Sequence, residues 1–375
     1  MEFKLPFTNR RTIIALGAET GSTGCLLRGE RAYLTSPISD STNPKELSDL
    51  KNNIAKLLAS TKIKKVDAIA CDLHPRFQTT ELAYEMAEKY RVPLFKIQHH
   101  HAHAVSLMVE HSIRKGEEIV AIVCDGVGHG SDGTAWGGEI LKVGYSKFLR
   151  LGHLKSQPMP GGDKAVEYPV RMVAGMLYSK IDKEELEMLL SKRYVHAFPH
   201  GKEEIKITLA QLERNFNCPK TSSCGRVLDA LAVLTEACVK RSYEGEPAIS
   251  LEKLASKGKA KYKFPELVVD GEIDTTSLLL HALKLVEEGV RKEDVAASSQ
   301  KALARALANL AITLAKKEGI RTIGWSGGVA YNKAITSTIE KLVEENKLTF
   351  LKHEKLPPGD GNLSLGQVAV AATQL

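Results

Sequence analysis

The sequence predicts an α/β fold in which one unit of strands and helices occurs twice, giving two lobes with a cleft between them. Apolar, strand-like segments alternate with helical periodicity over the first third of the chain, and a second run of the same kind begins near residue 118. A long helical region interrupts the second copy. We therefore predict a first lobe over residues 1–116 and a second lobe over residues 117–375, with a helical insertion at about 164–317.

The first lobe is predicted to contain strands followed by strand–helix alternation. Short apolar segments bounded by glycine-containing turns or by helices indicate five strands, at residues 12–17, 24–29, 31–35, 66–71 and 92–97. Apolar residues at helical spacing indicate three helices: residues 44–59 with Asn43 as N-cap, residues 79–90, and a histidine-rich helix that begins near 98 and reaches about 111.

The second lobe repeats this pattern around its insertion. Strands are predicted at residues 118–124, 134–143, 148–154 and 322–325 and near 348–351. Helices are predicted at residues 165–177, 183–190, 225–240 and 295–317, after Asn332, and from Leu363 to the end. Two copies of one α/β unit therefore account for most of the chain.

Composition restricts the class of protein. The 375 residues are 43% hydrophobic, without the run of about twenty apolar residues that spans a membrane. The start has no apolar segment long enough for a secretory signal, and the six cysteines show no paired zinc-binding spacing, which predicts reduced thiols and a cytoplasmic protein without membrane contact. The net charge of +7 suits acidic ligands such as phosphates, whereas the dispersed basic residues argue against nucleic acid as a partner.

Residues 98–103 contain four of the twelve histidines of the chain, at the start of the third predicted helix. His99 and His103 are four residues apart and would lie on one helix face; His100 and His103, three apart, form a second candidate pair. A solvated helix face is the alternative interpretation. Because imidazole suits first-row transition metals, the run predicts a metal site.

Two further segments place a carboxylate beside glycines. Asp125 follows the apolar strand at 118–124 and precedes Gly126, and Asp360 lies in a Pro-Gly-Asp-Gly turn before the last helix. A glycine-rich hairpin and an ordinary turn are the structural alternatives. Two imidazoles and two carboxylates would make a mixed nitrogen and oxygen site for Fe²⁺ or Zn²⁺ at the cleft.

Glycine pairs elsewhere are candidates for a nucleotide site. Gly327 and Gly328 follow a strand and precede a helix, where backbone amides can meet a phosphate. Gly161 and Gly162 open another helix. Asp229 lies one turn inside an otherwise apolar helix, which is also consistent with a satisfied structural carboxylate.

These segments, in this order, resemble the HypF family of hydrogenase-maturation carbamoyltransferases. The blocks that carry the resemblance are residues 17–19, 71–75, 98–103, 125–126, 132–139, 160–163, 222–226, 243–249, 327–329 and 359–367. They match the C-terminal, transferase half of that family, which is similar to the TsaD-type tRNA threonylcarbamoyl transferases and to antibiotic O-carbamoyltransferases. The resemblance implies the duplicated two-lobe fold of the actin-like and sugar-kinase-like superfamily, with helical insertions in the second lobe.

The resemblance also implies residue roles. It selects His99 rather than His100 as the partner of His103, and adds Asp125 and Asp360 as metal ligands. The implied nucleotide contacts are Gly225 and Asp229 at the ribose, Gly327, Gly328 and Asn332 at the adenine, and Gly161 and Gly162 near the phosphate. The implied cofactors are Fe²⁺ or Zn²⁺ and ATP or carbamoyl-adenylate, with Mg²⁺ as a further candidate.

The reaction implied is transfer of a carbamoyl group from carbamoyl-adenylate to the C-terminal cysteine thiol of a HypE-like partner, in maturation of the cyanide ligands of NiFe-hydrogenase. Full-length members of the family make the adenylate in a preceding domain, so a YrdC-like adenylate-forming domain is expected to act in trans. The tRNA-modifying branch has a tyrosine at the position of Asp125, which favours a protein or small-molecule acceptor here. A TsaD-like or O-carbamoyltransferase activity, and a non-catalytic nucleotide-binding regulatory module, are the alternatives.

Overall fold

A computed structural model describes residues 1–375. Two β-sheets form the frame of the molecule. The strands of the first sheet are β1 (Glu2–Lys4), β2 (Thr12–Ala15), β3 (Cys25–Arg28), β4 (Arg31–Leu34), β5 (Ala68–Asp72) and β6 (Leu94–Ile97). Their order is β1-β4-β3-β2-β5-β6. The strands β2, β3 and β4 form an antiparallel meander, and β5 and β6 add to it in parallel.

The second sheet contains nine strands: β7 (Ile119–His129), β8 (Ala135–Val143), β9 (Phe148–Leu154), β10 (Gln157–Pro158), β11 (Lys220–Thr221), β12 (Val268–Val269), β13 (Glu272–Ile273), β14 (Thr322–Ser326) and β15 (Thr349–Lys352). Its centre repeats the first sheet, because β7, β8 and β9 form an antiparallel meander to which β14 and β15 add in parallel. The predicted duplication of an α/β unit is therefore confirmed.

Helices cover both faces of the first sheet. Those of the first half are α1 (Pro44–Ser60), α2 (Gln78–Tyr90) and α3 (His99–Glu110). On one face, Leu50 of α1 and Leu82 of α2 share an apolar core with the strands. On the other face, Val105 of α3 packs in a second core that includes the C-terminal helix. The side chain of Asn43 accepts a hydrogen bond from the Lys45 amide and caps α1, as predicted.

The second half contains ten helices: α4 (Asp163–Glu167), α5 (Val170–Leu177), α6 (Lys183–Leu189), α7 (Gly201–Glu213), α8 (Cys224–Leu234), α9 (Glu246–Ala255), α10 (Thr275–Glu287), α11 (Lys292–Lys317), α12 (Lys333–Glu345) and α13 (Leu363–Gln374). The helices α4 to α11 lie between the meander and β14, where the insertion was predicted. The last helix, α13, packs against α3 and against β2 and β5. The boundary between lobes at residues 116 and 117 stays a prediction.

Three element predictions were wrong in detail. Residues 165–177 form two helices, which separate where Pro169 cannot continue the backbone hydrogen bonding of α4. The helix predicted over 225–240 ends at Leu234, and Glu236 two residues later has a left-handed backbone with a φ of 54°. The strand predicted to end at residue 124 continues as β7 to His129. No helix has the length and apolarity that a membrane crossing requires.

Candidate metal centre

The histidine run forms the first turn of α3. Gln98 caps this helix, since its side-chain oxygen accepts a hydrogen bond from the His101 amide at 2.8 Å. His99 and His103 lie one turn apart and both are buried. A buried imidazole pair contradicts the alternative of a solvated helix face.

The structure brings the two histidines together with two distant carboxylates. Nε2 of His103 lies 2.9 Å from Oδ2 of Asp125 and 3.6 Å from Oδ1 of Asp360. Nε2 of His99 lies 3.4 Å and 3.7 Å from the same two atoms. The four donor atoms all lie within 4.8 Å of one another. We call His99, His103, Asp125 and Asp360 the four-residue cluster.

The other ring nitrogen of each histidine is held by a second partner. Nδ1 of His99 donates to Oδ2 of Asp72, at the end of β5, over 2.8 Å. Nδ1 of His103 lies 3.1 Å from Oδ1 of Asn362. Partners of this kind fix the orientation of metal-binding histidines and leave Nε2 as the free lone pair. Sequence reasoning did not assign Asp72 or Asn362 to the site.

The free atoms of the cluster indicate what it can hold. Nε2 of His99, Nε2 of His103 and Oδ2 of Asp125 are buried and make no hydrogen bond of acceptable geometry, although they lie close together. Buried polar atoms without a partner are costly. A divalent cation that accepts nitrogen and oxygen ligands would satisfy all of them, so the residues present fit Fe²⁺ or Zn²⁺.

Charge within the cluster outweighs the cost of burial. Burial alone would lower the pKa of His99, but the carboxylates of Asp72, Asp360 and Asp125 raise it well above its usual value. Burial would raise the pKa of Asp125, but the contacts with His103 and His99 hold it well below its usual range. The site therefore favours negative carboxylates facing a positive charge, which is the electrostatic situation that a metal cation supplies.

The two remaining histidines of the run have other partners. Nδ1 of His100 bonds to the Gln98 side chain, and burial together with the neighbouring His99 holds the pKa of His100 well below its usual value. Nε2 of His101 donates to the Gly144 carbonyl over 2.9 Å, and burial lowers the pKa of His101 to about 4. Both rings are therefore neutral, and the structure places His99 rather than His100 beside the carboxylates.

Asp125 lies at a bulge inside a strand, and not at the strand end as the sequence predicted. The pairing of β7 with β8 changes register between Cys124 and Gly128, which reorients the side chains there. Gly328 N–H donates to Oδ1 of Asp125 over 3.2 Å. Gly327 has a φ of 94°, and a Cβ there would lie 2.3 Å from the Cys124 carbonyl oxygen. These glycines allow the backbone after β14 to lie against the bulge.

The start of α8 closes the same bulge from the other side. Ser223 caps α8 and donates to the Gly126 carbonyl over 2.5 Å. A Cβ on Gly225 would lie 2.9 Å from the Gly126 Cα. Arg226 follows, with Nη2 3.1 Å from Oδ2 of Asp229, while its Nε and Nη1 are buried without a partner. Burial raises the pKa of Asp229, against the lowering effect of Arg226.

The other predicted nucleotide residues do not join this group. A Cβ on Gly161 would meet Arg171 and Lys164, and one on Gly162 would meet Asn217 and Pro219, none of which belongs to the bulge. Asn332 caps α12 through its oxygen, and its Nδ2 donates to Gln300 over 2.6 Å. Their nucleotide roles stay predictions.

Comparison with known proteins assigns the chain to a family. The model of the HypF Kae1-like domain matches residues 8–110, and the model described as a carbamoyltransferase Kae1-like domain, second subdomain, matches residues 121–367. The chain belongs to the HypF carbamoyltransferase family. The resemblance seen in the sequence is thereby confirmed.

Relatives within the HypF family differ in length. The probable carbamoyltransferase HypF of Methanocaldococcus jannaschii is 37% identical over 364 residues, which are 97% of this chain and 47% of that protein. A carbamoyltransferase HypF homolog of Cupriavidus necator is 38% identical over 371 residues, which are 96% of this chain and 92% of that protein. The chain therefore spans about half of one relative and almost all of the other.

Solved HypF structures share the fold. The crystal structure of T. kodakarensis HypF superposes with a TM-score of 0.93 at 37% identity, over 100% of this chain and 49% of that chain. A full-length HypF in its phosphate- and nucleotide-bound form gives a TM-score of 0.88 at 27% identity, over 100% of this chain and 57% of that chain. The two-lobe fold predicted from the HypF resemblance is confirmed.

Proposed function

We propose that this chain transfers a carbamoyl group from carbamoyl-adenylate to the C-terminal cysteine thiol of a HypE-like partner, in hydrogenase maturation. The observation that supports this is the four-residue cluster, formed from both halves of a chain that belongs to the HypF family. We assign His99, His103, Asp125 and Asp360 as ligands of Fe²⁺ or Zn²⁺ and leave Mg²⁺ as the companion of a bound ATP.

The proposed reaction exchanges one acyl bond for another. The cysteine thiolate attacks the carbamoyl carbon, the bond between that carbon and the phosphate oxygen breaks, and a thiocarboxamide and AMP leave; the thiol proton passes to solvent. A metal in the cluster would supply Lewis acidity toward the carbonyl or phosphate oxygen. Arg226, buried beside Gly126 with two free N–H groups, has the planar donor pair that suits a phosphate, and we assign it to the leaving group.

We place the nucleotide between the bulge at Asp125 and the helices α8 and α12. Gly225 and Asp229 would face the ribose, Gly327, Gly328 and Asn332 the adenine, and Gly161 and Gly162 the phosphate. A HypF structure with bound nucleotide supports nucleotide binding in the family. Asn332 donates one hydrogen of its amide nitrogen to Gln300, so the second hydrogen would serve the adenine contact.

We further propose that the adenylate comes from a YrdC-like domain acting in trans. The family models match the two Kae1-like subdomains of this chain, and the Cupriavidus necator homolog is a family member of nearly the same extent. The HypE-like acceptor would then meet an adenylate delivered by another protein.

One assay tests the function. Purified metal-loaded protein is mixed with chemically prepared carbamoyl-adenylate and a peptide that ends in cysteine, and the peptide is weighed by mass spectrometry. We expect one added carbamoyl group, no addition to a matched peptide ending in serine, and none with the Asp125→Asn variant. With ATP and carbamate in place of the adenylate, product should form only after a YrdC-like domain is added, because that domain joins carbamate to AMP and releases pyrophosphate. Absence of a thiol adduct with protein that holds metal and nucleotide would refute the proposal.

A further inference from the structure

A chain of buried hydrogen bonds leads from the four-residue cluster back into the protein. It begins at His103, whose Nδ1 lies 3.1 Å from Oδ1 of Asn362. Nδ2 of Asn362 lies 3.3 Å from Nε2 of His353, and Nδ1 of His353 lies 2.6 Å from Oε2 of Glu110. The side chains of His353 and Glu110 are 1% and 2% exposed, so water cannot replace these contacts at low cost.

Two peptide carbonyls fix the orientation of the Asn362 amide. Nδ2 of Asn362 lies 2.9 Å from the Pro357 carbonyl oxygen and 3.1 Å from that of Pro358. Carbonyl oxygens only accept, so the amide nitrogen must face them and the amide oxygen must face His103. His103 therefore carries a proton on Nδ1, which leaves Nε2 as the nitrogen that a metal in the cluster would bind.

His353 continues the same order. Its Nδ1 donates to Glu110, because a carboxylate only accepts, which leaves Nε2 as the acceptor that faces Asn362 and Ser326. The other oxygen of Glu110 accepts from the amides of Glu354 and Lys355, at 2.8 Å and 2.5 Å. Glu110 thus holds both the ring of His353 and the backbone that follows it.

The spacing of Glu110, His353 and Ser326 resembles that of a catalytic triad, since Ser326 Oγ lies 3.0 Å from Nε2 of His353. Ser326 is fully buried, however, and no substrate could reach its hydroxyl. Glu110, His353 and Ser326 therefore stabilise the surrounding structure and do not form a nucleophilic site.

The arrangement joins two of the three parts of the chain that supply the cluster. His103 and Glu110 lie on α3, two turns apart, and each contacts the segment 353–362. Asp360 lies within that segment, between the attachment at His353 and the attachment at Asn362. A displacement of the segment would move Asp360 away from the histidines.

We propose that Glu110, His353 and Asn362 are positioning residues that set the metal affinity of the four-residue cluster. Asn362 selects the tautomer of His103, while His353 and Glu110 fix Asn362 and hold the segment that carries Asp360. The inference rests on the part of the proposed function in which the cluster binds metal.

The test measures the affinity of the full chain for Zn²⁺ by competition with a chromogenic chelator. We expect Asn362→Leu to weaken binding about 10- to 100-fold and His353→Leu about 10-fold, as loss of outer partners does in other metal sites. His353→Gln should restore most of the affinity, because a glutamine amide can donate to Glu110 and accept from Asn362. Ser326→Ala is the matched control, since it removes only a side branch, and should bind like the wild type.

Each variant is also melted without metal, and its Co²⁺ complex is examined by visible absorption. A positioning role predicts weaker affinity and an altered Co²⁺ spectrum in variants that remain folded. If His353→Leu does not fold, Asn362→Leu alone decides the question. Folded variants that bind Zn²⁺ as tightly as the wild type would refute the positioning role while leaving the carbamoyltransferase proposal intact. A wild-type chain that binds neither metal would refute both the metal assignment and this inference.

Discussion

The metal side and the nucleotide side of the proposed site differ in how far they are formed. At the four-residue cluster, donor atoms from α3, β7 and the turn at Asp360 meet without partners of their own. On the nucleotide side the assigned groups are mixed: Arg226 and Asp229 have buried atoms without a partner, whereas Asn332 and the amides of Gly161 and Gly162 already bond within the protein. The metal side is therefore open to a ligand at every buried donor atom, and the nucleotide side only at some.

The glycines between these two regions act through packing rather than through a ligand. Gly225 and Gly327 approach the backbone around Asp125 so closely that a methyl group would overlap it. Their first effect is therefore on the position of the Asp125 carboxylate, and only then on a nucleotide. A glycine loop beside a functional site can thus be required by packing even where no phosphate touches it.

The largest expected effect tests the metal side of the proposed site, and it is the loss of bound metal. His103→Ala removes one of four donors, and we expect stoichiometric Fe²⁺ or Zn²⁺ to be lost while the fold, measured by circular dichroism, is retained. His101→Gln is the control on the same helix, because His101 is neutral and donates to Gly144. Metal analysis after dialysis checks both variants. Equal metal content in His103→Ala and wild type would show that the ligand assignment is wrong.

A smaller effect tests the packing role of the glycines. A Cβ at residue 225 would lie 2.9 Å from the Gly126 Cα, a backbone atom that cannot turn away, so Gly225→Ala should destabilise the protein by about 3 kcal/mol. A Cβ at Gly144 would meet its nearest neighbour at 3.7 Å, and Gly144→Ala should be close to neutral. Denaturant unfolding measures both. If Gly225→Ala is as stable as wild type and loses only nucleotide affinity, the glycine serves the nucleotide and not the bulge.

Local patterns predicted most of the fold. The order of the central strands and of most helices followed from apolar periodicity, and the cap at Asn43 from a side chain that can accept a backbone amide. The strands β1 and β10 to β13 and the helices α7, α9 and α10 were not predicted. The extension of β7 could not be predicted in this way. Gly126 and Gly128 interrupt the apolar pattern, and the strand continues only because β8 pairs with it beyond the bulge.

The sequence predicts a metal-ligand side chain only where a local pattern marks it, such as a carboxylate that follows a predicted buried strand. Asp72 follows a predicted buried strand as Asp125 does, so the same sequence signal marks both residues. Asn362 and His353 gave no such signal, because their role depends on contacts such as that between Asn362 and His103, 259 residues apart in sequence. Sequence patterns indicate which groups can bind a metal, but the partners that orient those groups emerge from packing.

The smallest expected effect concerns acid stability on the metal side. Burial alone would raise the pKa of Glu110, but the hydrogen bond from His353 and the amides of Lys355 and Glu354 lower it to about 2. A carboxylate whose pKa is lowered in the folded state stabilises that state at every pH above its pKa in the unfolded chain, which is about 4.3. That contribution is lost as the pH falls toward the folded-state pKa of about 2. The acid sensitivity of the fold should therefore depend on Glu110.

Glu110→Gln tests this dependence, because it keeps the shape of the side chain and removes its charge. At pH 7 the variant should be less stable by about 2 kcal/mol, the usual contribution of a buried hydrogen bond to a charged group. Because only the wild type has a carboxylate to protonate, the difference between the two proteins should shrink as the pH is lowered from 5 to 3. Denaturant unfolding at several pH values, without metal, measures the difference. A difference in the free energy of unfolding that stays constant over this range would mean that His353 does not hold Glu110 ionised. The donors and acceptors in the hydrogen bonds behind His103 would then differ from those assigned above.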